Sequence, residues 1–191
     1  MEALFTSTAV VALAEIGDKT QLLAIVLATR FKQPWSIVAG IFVATIANHF
    51  LAALLGSEVA SLLEGNWFRY AVALSFIAMA IWTLIPDKLD DVEDKPARFG
   101  AFVTTVIAFF LVEMGDKTQI ATVALGAQFH NVVMVTMGTT LGMMIANVPA
   151  VFLGNELIKR VPLNVVRMIA AGLFLVIGVW LLLQVMGVFG G

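Results

Sequence analysis

The sequence predicts an all-α integral membrane protein of six transmembrane helices, arranged as two inverted three-helix repeats. Three observations support this prediction: the composition, the lengths of the apolar segments and an internal repeat. Of the 191 residues, 61% are hydrophobic and only 13% are charged, whereas soluble domains average about 45–50% apolar and about 25% charged residues. A soluble domain of this size could not bury so much apolar surface.

The charge and cysteine counts exclude several other classes of protein. Eleven Lys and Arg against thirteen Asp and Glu give a net charge of −2, which excludes a nucleic-acid binder. The chain has no cysteine, so disulfides, thiolate metal sites and cysteine nucleophiles are excluded as well. It also contains no nucleotide-binding motif, and we therefore expect no direct use of ATP.

Six segments are long and apolar enough to cross a bilayer, which takes about 20 helical residues for about 30 Å of hydrocarbon. In order, they are Ala3–Thr29, Pro34–Leu63, Trp67–Ile85, Gly100–Ala127, Val132–Ile158 and Leu163–Met186. Their apolar runs are continuous rather than alternating, which favours helices over a β-barrel. We predict a first three-helix repeat at residues 1–86, an acidic linker at 87–99 and a second repeat at 100–191.

The two repeats are visible because the chain matches itself at an offset of 98 residues. Glu15-Ile16-Gly17-Asp18-Lys19-Thr20-Gln21 recurs as Glu113-Met114-Gly115-Asp116-Lys117-Thr118-Gln119, and Gly40 meets Gly138. Since each copy holds an odd number of spans, the second copy must run through the membrane in the opposite direction. Inverted repeats are typical of secondary transporters, whose binding sites lie near the midplane between the repeats.

The distribution of Lys and Arg outside the spans predicts the orientation. Eight of these residues fall on one side and one on the other. The basic side holds Arg30, Lys32, Lys88, Lys95, Arg98, Lys159, Arg160 and Arg167, and the opposite side holds Arg69. Cytoplasmic loops carry the basic excess. We therefore expect the acidic linker in the cytoplasm and both termini outside.

Acidic side chains inside the predicted spans are the main candidate ligands. Glu15 and Asp18 are three residues apart, as are Glu113 and Asp116, so a helix would place each pair on one face. The pseudo-two-fold axis between the repeats can bring all four together. Four ionised carboxylates in a low dielectric repel one another and need a divalent cation, protons or both. Hard oxygen ligands suit Mg²⁺, Ca²⁺ or Mn²⁺.

Further residues inside the spans have two open interpretations each. Gly17 and Gly115 permit either a helix break, which would free carbonyl groups for an ion, or a close contact between helices. Asn48 and Asn147 lie mid-span, and their side-chain carbonyls could bind Mn²⁺ or Ca²⁺, or else bond neighbouring helices. His49 follows Asn48 but has no counterpart in the second half, so we do not count it among the ligands.

Polar neighbours of the acidic residues complete the candidate site. Lys19 follows Glu15 by four residues and Lys117 follows Glu113 likewise, which is the favourable order for a helical ion pair. The lysines could partly neutralise the site, although an ammonium group has no lone pair for a metal. The other neighbours could donate oxygens, orient carboxylates or bond adjacent helices: Thr20, Gln21, Thr118 and Gln119.

The paired motifs also resemble those of a known family. Glu-x-Gly-Asp-Lys/Arg-Thr/Ser, present twice in two three-helix repeats, is similar to the motif pair of a cation-exchanger family that includes a bacterial manganese exporter and the Golgi manganese/calcium transporters of eukaryotes. The resemblance covers nearly the whole chain, and both motifs match without departure. It implies Mn²⁺ export, with Ca²⁺ in some members, in exchange for H⁺. It also implies that Glu15, Asp18, Glu113 and Asp116 are ion ligands.

We therefore predict a secondary transporter that exports Mn²⁺ by H⁺ antiport at a midplane site of four carboxylates, assisted by Asn48 and Asn147. The short chain favours a bacterial inner (plasma) membrane protein. Mn²⁺ or Ca²⁺ is expected as transported substrate, and no prosthetic group is expected. The alternatives are a Ca²⁺/H⁺ exchanger with the same site, and a metal-dependent intramembrane enzyme whose carboxylates activate water. The near-symmetry of the site argues against the enzyme. A cation channel is a further alternative.

Overall fold

A computed structural model describes residues 1–63, 65–85, 99–154 and 162–188. Within these ranges the protein has eight α-helices and no strand. The helices are α1 (Glu2–Glu15), α2 (Lys19–Phe31), α3 (Pro34–Leu62), α4 (Asn66–Thr83), α5 (Ala101–Glu113), α6 (Lys117–Phe129), α7 (Val132–Leu153) and α8 (Leu163–Val185). The acidic linker predicted at 87–99, apart from Phe99, and the predicted end of the fifth segment at Ile158 lie outside the described residues.

Three of the described helices are each long and apolar enough to cross a membrane, namely α3, α7 and α8. They contain 29, 22 and 23 residues. At 1.5 Å per residue they measure about 33–44 Å, which exceeds the roughly 30 Å of hydrocarbon in a bilayer. Large apolar side chains such as Leu55, Ile145 and Val176 remain exposed along them, as expected of a surface that faces lipid.

The first and fourth predicted segments are not continuous helices. Residues 16–18 separate α1 from α2, and residues 114–116 separate α5 from α6. We call these the first and second motif turns. The breaks occur where Gly17 and Gly115 adopt positive φ angles of 84° and 75°, which no α-helix contains. Of the two interpretations of these glycines, the helix break is observed in both halves.

The helices of the two halves interlock. α1 and α2 of the first half pack against α7 of the second half, and α5 and α6 pack against α3 of the first half. α4 and α8 pack against each other, while α4 also contacts α6 and α8 also contacts α1. Each half thus places its broken helices against the long helix of the other half, and the aspartates of the two motif turns, Asp18 and Asp116, are buried.

The same close contact between two helices occurs twice, at positions that correspond in the two repeats. A Cβ atom added to Gly40 on α3 would stand 2.7 Å from Cβ of Thr105 on α5, and one added to Gly138 on α7 would stand 2.9 Å from Cβ of Ser7 on α1. Gly138 follows Gly40 by 98 residues, and Thr105 follows Ser7 by the same number. Only glycine allows the backbones to approach this closely.

Candidate metal centre

Each motif folds as a tight turn between two short helices. The backbone N–H of Asp18 donates a hydrogen bond to the carbonyl of Glu15 at 3.0 Å, and that of Asp116 donates to the carbonyl of Glu113 at 3.0 Å. Because α2 begins at Lys19 and α6 begins at Lys117, Asp18 and Asp116 are the N-cap residues of these helices. The prediction that each Glu–Asp pair shares one helix face was wrong, because the two side chains belong to the end of one helix and the start of the next.

A glutamine near the start of α2 and of α6 holds each turn. The N–H of Gly17 donates to Oε1 of Gln21 at 3.0 Å, and the N–H of Gly115 donates to Oε1 of Gln119 at 2.6 Å. Nε2 of Gln21 also donates to the carbonyl of Ala146 on α7 at 2.9 Å. Both glutamine oxygens are thus occupied by backbone groups of the turns, which gives these residues an orienting role in this arrangement.

Carboxylates from both motif turns converge. Glu15, Asp18 and Asp116 each place one oxygen within 4.8 Å of the others, and we call this set the carboxylate cluster. Their exposed fractions are 0%, 5% and 2%. Glu113, the fourth predicted ligand, is also fully buried but is not among these three residues. Carboxylates so close together and so deeply buried require compensating positive charge.

The motif lysines supply part of that charge, and they do so across the two halves. Nζ of Lys19 lies 2.8 Å from Oδ1 of Asp116, and Nζ of Lys117 lies 3.8 Å from Oδ1 of Asp18. The spacing predicted helical pairs with the glutamate of the same motif, and this prediction was wrong. The glycine break ends the first helix before the lysine, so the lysine starts a new helix directed at the opposite turn.

Two side chains of α3 hold the carboxylate of Glu113. Oγ1 of Thr45 donates to Oε1 of Glu113 at 3.2 Å, and Nδ2 of Asn48 donates to Oε2 at 3.3 Å. Oδ1 of Asn48 accepts a hydrogen bond from Nε2 of Gln119. Asn48 thus orients the carboxylate of Glu113 through its Nδ2 group, and the bond from Gln119 uses one of the two lone pairs of its oxygen.

The equivalent asparagine of the second half has different partners. Thr20 donates a short hydrogen bond to Oε2 of Glu15, and Thr118 and Asn147 also face this carboxyl group. Nδ2 of Asn147 donates to the carbonyl of Met143 at 3.1 Å. Within the described residues, its Oδ1 is buried and has no hydrogen-bond partner. Asn147 can therefore offer its oxygen to an ion beside Glu15.

The sequence analysis missed one polar residue near these groups. His49 on α3 is fully buried, and its Nε2 lies 3.9 Å from Oε2 of Glu113. It was set aside because the second half has no equivalent histidine. A stronger signal was available, since an ionisable side chain inside an apolar span is a functional candidate whether or not a repeat contains it.

A comparison with known families agrees with this geometry. The family model described as "Divalent cation/proton antiporter GDT1" matches residues 3–91 and 101–188. The chain belongs to the GDT1 family. Each matched segment contains one motif turn, and the resemblance noted from the motifs is thereby confirmed. As a GDT1 member with long apolar helices the chain is an integral membrane protein, and the family description favours transport over the enzyme alternative.

Individual relatives carry related descriptions. A protein of Vibrio cholerae serotype O1 named "Putative manganese exporter" is 52% identical over 176 residues, which cover 92% of this chain and 88% of that protein. A GDT1-like protein of Synechocystis is 29% identical over 185 residues, or 86% and 88% of the two chains. GDT1-like protein 3 of Oryza sativa subsp. indica is 30% identical over 201 residues, or 91% and 71%. No solved structure matches the chain.

Proposed function

We propose that this chain exports Mn²⁺ from the cytoplasm in exchange for protons, and that Glu15, Asp18, Glu113 and Asp116 bind the ion. The observation that carries the proposal is the convergence of buried carboxylates from both motif turns. Membership of a divalent cation/proton antiporter family supports the exchange. The name of the Vibrio relative supports Mn²⁺ as the substrate, and we place the protein in a bacterial plasma membrane.

The proposal includes six membrane spans in two inverted repeats, at residues 1–86 and 100–191, joined by the linker at 87–99. α1 and α2 hold 14 and 13 residues, and α5 and α6 hold 13 each. Each helix is only about 20 Å long, so α1 with α2, and α5 with α6, would cross the bilayer as pairs. α4, with 18 residues, is about 27 Å long and would form a span of its own.

Two features of the structure support this arrangement. The motif turns would lie at membrane depth, where irregular backbone is tolerated when it lines a binding site. The doubled glycine contact between α3 and α5 and between α7 and α1 is what two repeats of the same structure would produce. The excess of Lys and Arg on one side supports a cytoplasmic linker with both termini outside.

The charges of the site suggest the stoichiometry of exchange. Four carboxylates and the ammonium groups of Lys19 and Lys117 sum to −2 when all are ionised. One Mn²⁺ neutralises this charge, and so do two protons. The lysines pair with aspartates, whereas Glu15 and Glu113 accept hydrogen bonds from neutral Thr and Asn side chains. We therefore assign the two protons to Glu15 and Glu113, which makes the exchange electroneutral.

Transport then follows from competition for the same oxygens. Cytoplasmic Mn²⁺ binds to the ionised carboxylates, and a rocking motion of the two repeats exposes the site on the outer side. Protons from the outer side neutralise Glu15 and Glu113, which lowers the affinity for Mn²⁺ and releases it. The protonated, neutral site returns to the cytoplasmic side and releases its protons there.

A Ca²⁺/H⁺ exchanger is the second candidate, because the carboxylate cluster offers only oxygen ligands and these suit Ca²⁺ as well as Mn²⁺. Purified protein in proteoliposomes tests both. We expect an imposed pH gradient to drive Mn²⁺ flux, with protons moving in the opposite direction, and excess Ca²⁺ to compete only weakly. A Mn²⁺ flux that ignores the pH gradient would rule out antiport, and a Ca²⁺ flux that exceeds the Mn²⁺ flux would select the second candidate.

A further inference from the structure

Resting on the proposed function, we infer that His49 is a nitrogen ligand of the transported ion. The ion binds between the imidazole of His49 and the carboxylate of Glu113, at the end of the site next to α3. This ligand makes the transporter prefer Mn²⁺ over Ca²⁺ and Mg²⁺. Three observations carry the inference: the burial of His49, the lack of a hydrogen-bond partner for its ring nitrogens among the described residues, and its distance from Glu113.

The ring of His49 is fully buried. Across the part of the chain that the structure describes, both ring nitrogens, Nδ1 and Nε2, are without a hydrogen-bond partner. Buried polar groups in native proteins nearly always have a partner, because an unsatisfied one retains its full cost of desolvation. A neutral imidazole has one nitrogen with a free lone pair, and a metal ion bound there would satisfy it.

The distance to Glu113 fits two ligands of one ion. Nε2 of His49 lies 3.9 Å from Oε2 of Glu113, which is too far for a direct hydrogen bond. Nitrogen and oxygen ligands bind divalent ions at roughly 2.0–2.6 Å, so two ligands of the same ion lie about 3–5 Å apart. The bond from Asn48 to Glu113 Oε2 can persist, because a carboxylate oxygen has two lone pairs.

The position of His49 on α3 places it beside the two side chains that donate hydrogen bonds to Glu113. Thr45 precedes His49 by four residues, so both side chains lie on the same face of the helix. Thr45 and the adjacent Asn48 donate to the two oxygens of Glu113 at 3.2 and 3.3 Å. Three polar side chains of α3, those of Thr45, Asn48 and His49, thus lie beside this carboxylate. Of these three, His49 is the one with a nitrogen that can bind a metal.

An imidazole ligand changes which ions the site accepts. Imidazole suits first-row transition ions, whereas Ca²⁺ and Mg²⁺ are held by oxygen ligands. The second half offers no such nitrogen, since Val148 follows Asn147 where His49 follows Asn48. The preference for Mn²⁺ therefore comes from one end of a site whose acidic residues are otherwise repeated.

The experiment uses the full chain, purified and loaded with Mn²⁺, and detects metal-bound nitrogen by electron spin-echo envelope modulation. The chain has two histidines, and the other one, His130, is exposed just after α6. Wild-type protein and the control variant H130Q are each prepared with natural-abundance and with ¹⁵N-labelled histidine. In both proteins we expect echo modulation from a metal-bound nitrogen, and we expect its frequencies to change when the histidine carries ¹⁵N. Because H130Q retains only His49, the assignment does not depend on the folding of a His49 variant.

Transport by H49Q gives a second readout that a purely structural role would not change. We expect its ratio of Mn²⁺ flux to Ca²⁺ flux to fall about tenfold, since even residues behind metal ligands change affinity by about 10–100-fold. H130Q should keep the wild-type ratio. A falling total flux with an unchanged ratio would assign His49 a packing role and overturn the inference.

The two proposals fail in distinguishable ways. If Mn²⁺ binds and is exchanged for protons but shows no modulation from histidine nitrogen, His49 is not a ligand and the proposed function stands. If wild-type protein neither binds Mn²⁺ nor carries it against a proton gradient, the proposed function is wrong, and the assignment of His49 is wrong with it.

Discussion

Lys19 on α2 forms an ion pair with Asp116 on α6, with 2.8 Å between Nζ and Oδ1. The reciprocal pair between Lys117 and Asp18 spans 3.8 Å. Each pair joins a lysine of one half to an aspartate of the other. The two motif turns therefore depend on each other for charge neutralisation, and the charge of the site is a property of both halves together.

Replacing Lys19 by Gln removes one positive charge from this site. The ion-loaded and the protonated forms would then both carry a net charge of −1 through the membrane. We expect the Mn²⁺/H⁺ exchange rate of K19Q to become sensitive to the membrane potential, while the wild-type rate is not. Mn²⁺ flux into proteoliposomes, measured with and without an imposed K⁺ diffusion potential, checks this.

The matched control for that experiment is K19R, which keeps the charge. It should behave like the wild type. Equal responses of K19Q and K19R to the potential would contradict a role for the Lys19 charge, and a wild-type rate that already follows the potential would contradict electroneutral exchange.

Neutralising any one of the four proposed ligands should abolish export. E15Q, D18N, E113Q and D116N each remove a charge that the ion requires, with little change in side-chain size. We expect cells that express each variant to be as sensitive to toxic Mn²⁺ as cells without the protein, although the protein is still present in the membrane. E58Q, at an exposed position on α3, should protect fully. Full protection by any two of the four variants would contradict a shared site.

The apparent affinity for Mn²⁺ should fall as the pH is lowered, because protons and Mn²⁺ compete for the same carboxylates. With two protons displaced per ion, the logarithm of the affinity should rise with pH with a slope approaching about two in the acidic range. A wild-type affinity that does not change with pH would contradict the proton sites.

Replacement by alanine should destabilise the protein to different extents at Gly17 and at Gly115. Both have positive φ, which costs a residue with a Cβ about 1–2 kcal/mol. A Cβ on Gly17 would also stand 2.7 Å from Cδ2 of Leu163, whereas one on Gly115 would meet no atom within 4 Å. We therefore expect G17A to lower the thermal stability of the purified protein more than G115A does.

Two further variants separate the contributions of backbone strain and crowding. L163A should restore part of the stability lost in G17A, because it removes the crowding side chain, and G115N should be milder than G115A, because Asn adopts left-handed conformations more readily. G172A, on an exposed and open part of α8, serves as the control. A loss of thermal stability in G172A as large as that in G115A would mean that the loss in G115A does not come from the positive φ angle of the motif turn.

The sequence predicted the long spans better than the interior of the site. The apolar runs of α3, α7 and α8 are continuous, so their helices follow from composition alone. Gly17 and Gly115 marked the positions of the breaks, but a glycine within an apolar segment permits either a break or a close contact, and only the φ angles decide between the two. The glutamate–lysine spacing led to wrong ion pairs, because that rule assumes a helix that the glycine interrupts.

Tertiary contacts decided the remaining differences. Asn48 and Asn147 each end an Ile-Ala-Asn tripeptide, but they are 99 residues apart and therefore one residue out of register with the offset of 98. The oxygen of Asn48 accepts a bond from Gln119, while that of Asn147 is unpaired within the described residues. The burial of His49 beside Glu113 likewise depends on how α3 packs against α5, which is a contact between the two halves of the chain.

The number of Mn²⁺ ions bound per chain is the most direct measurement of whether both halves form one site. Titration of the purified protein, followed by the loss of the free-Mn²⁺ electron paramagnetic resonance signal, gives this number for the wild type, E15Q and E113Q. We predict one tightly bound ion per wild-type chain and none in either variant, since each variant removes a ligand of the same ion. Two ions in the wild type, with one retained in each variant, would mean that each half binds its own ion and would contradict the shared site.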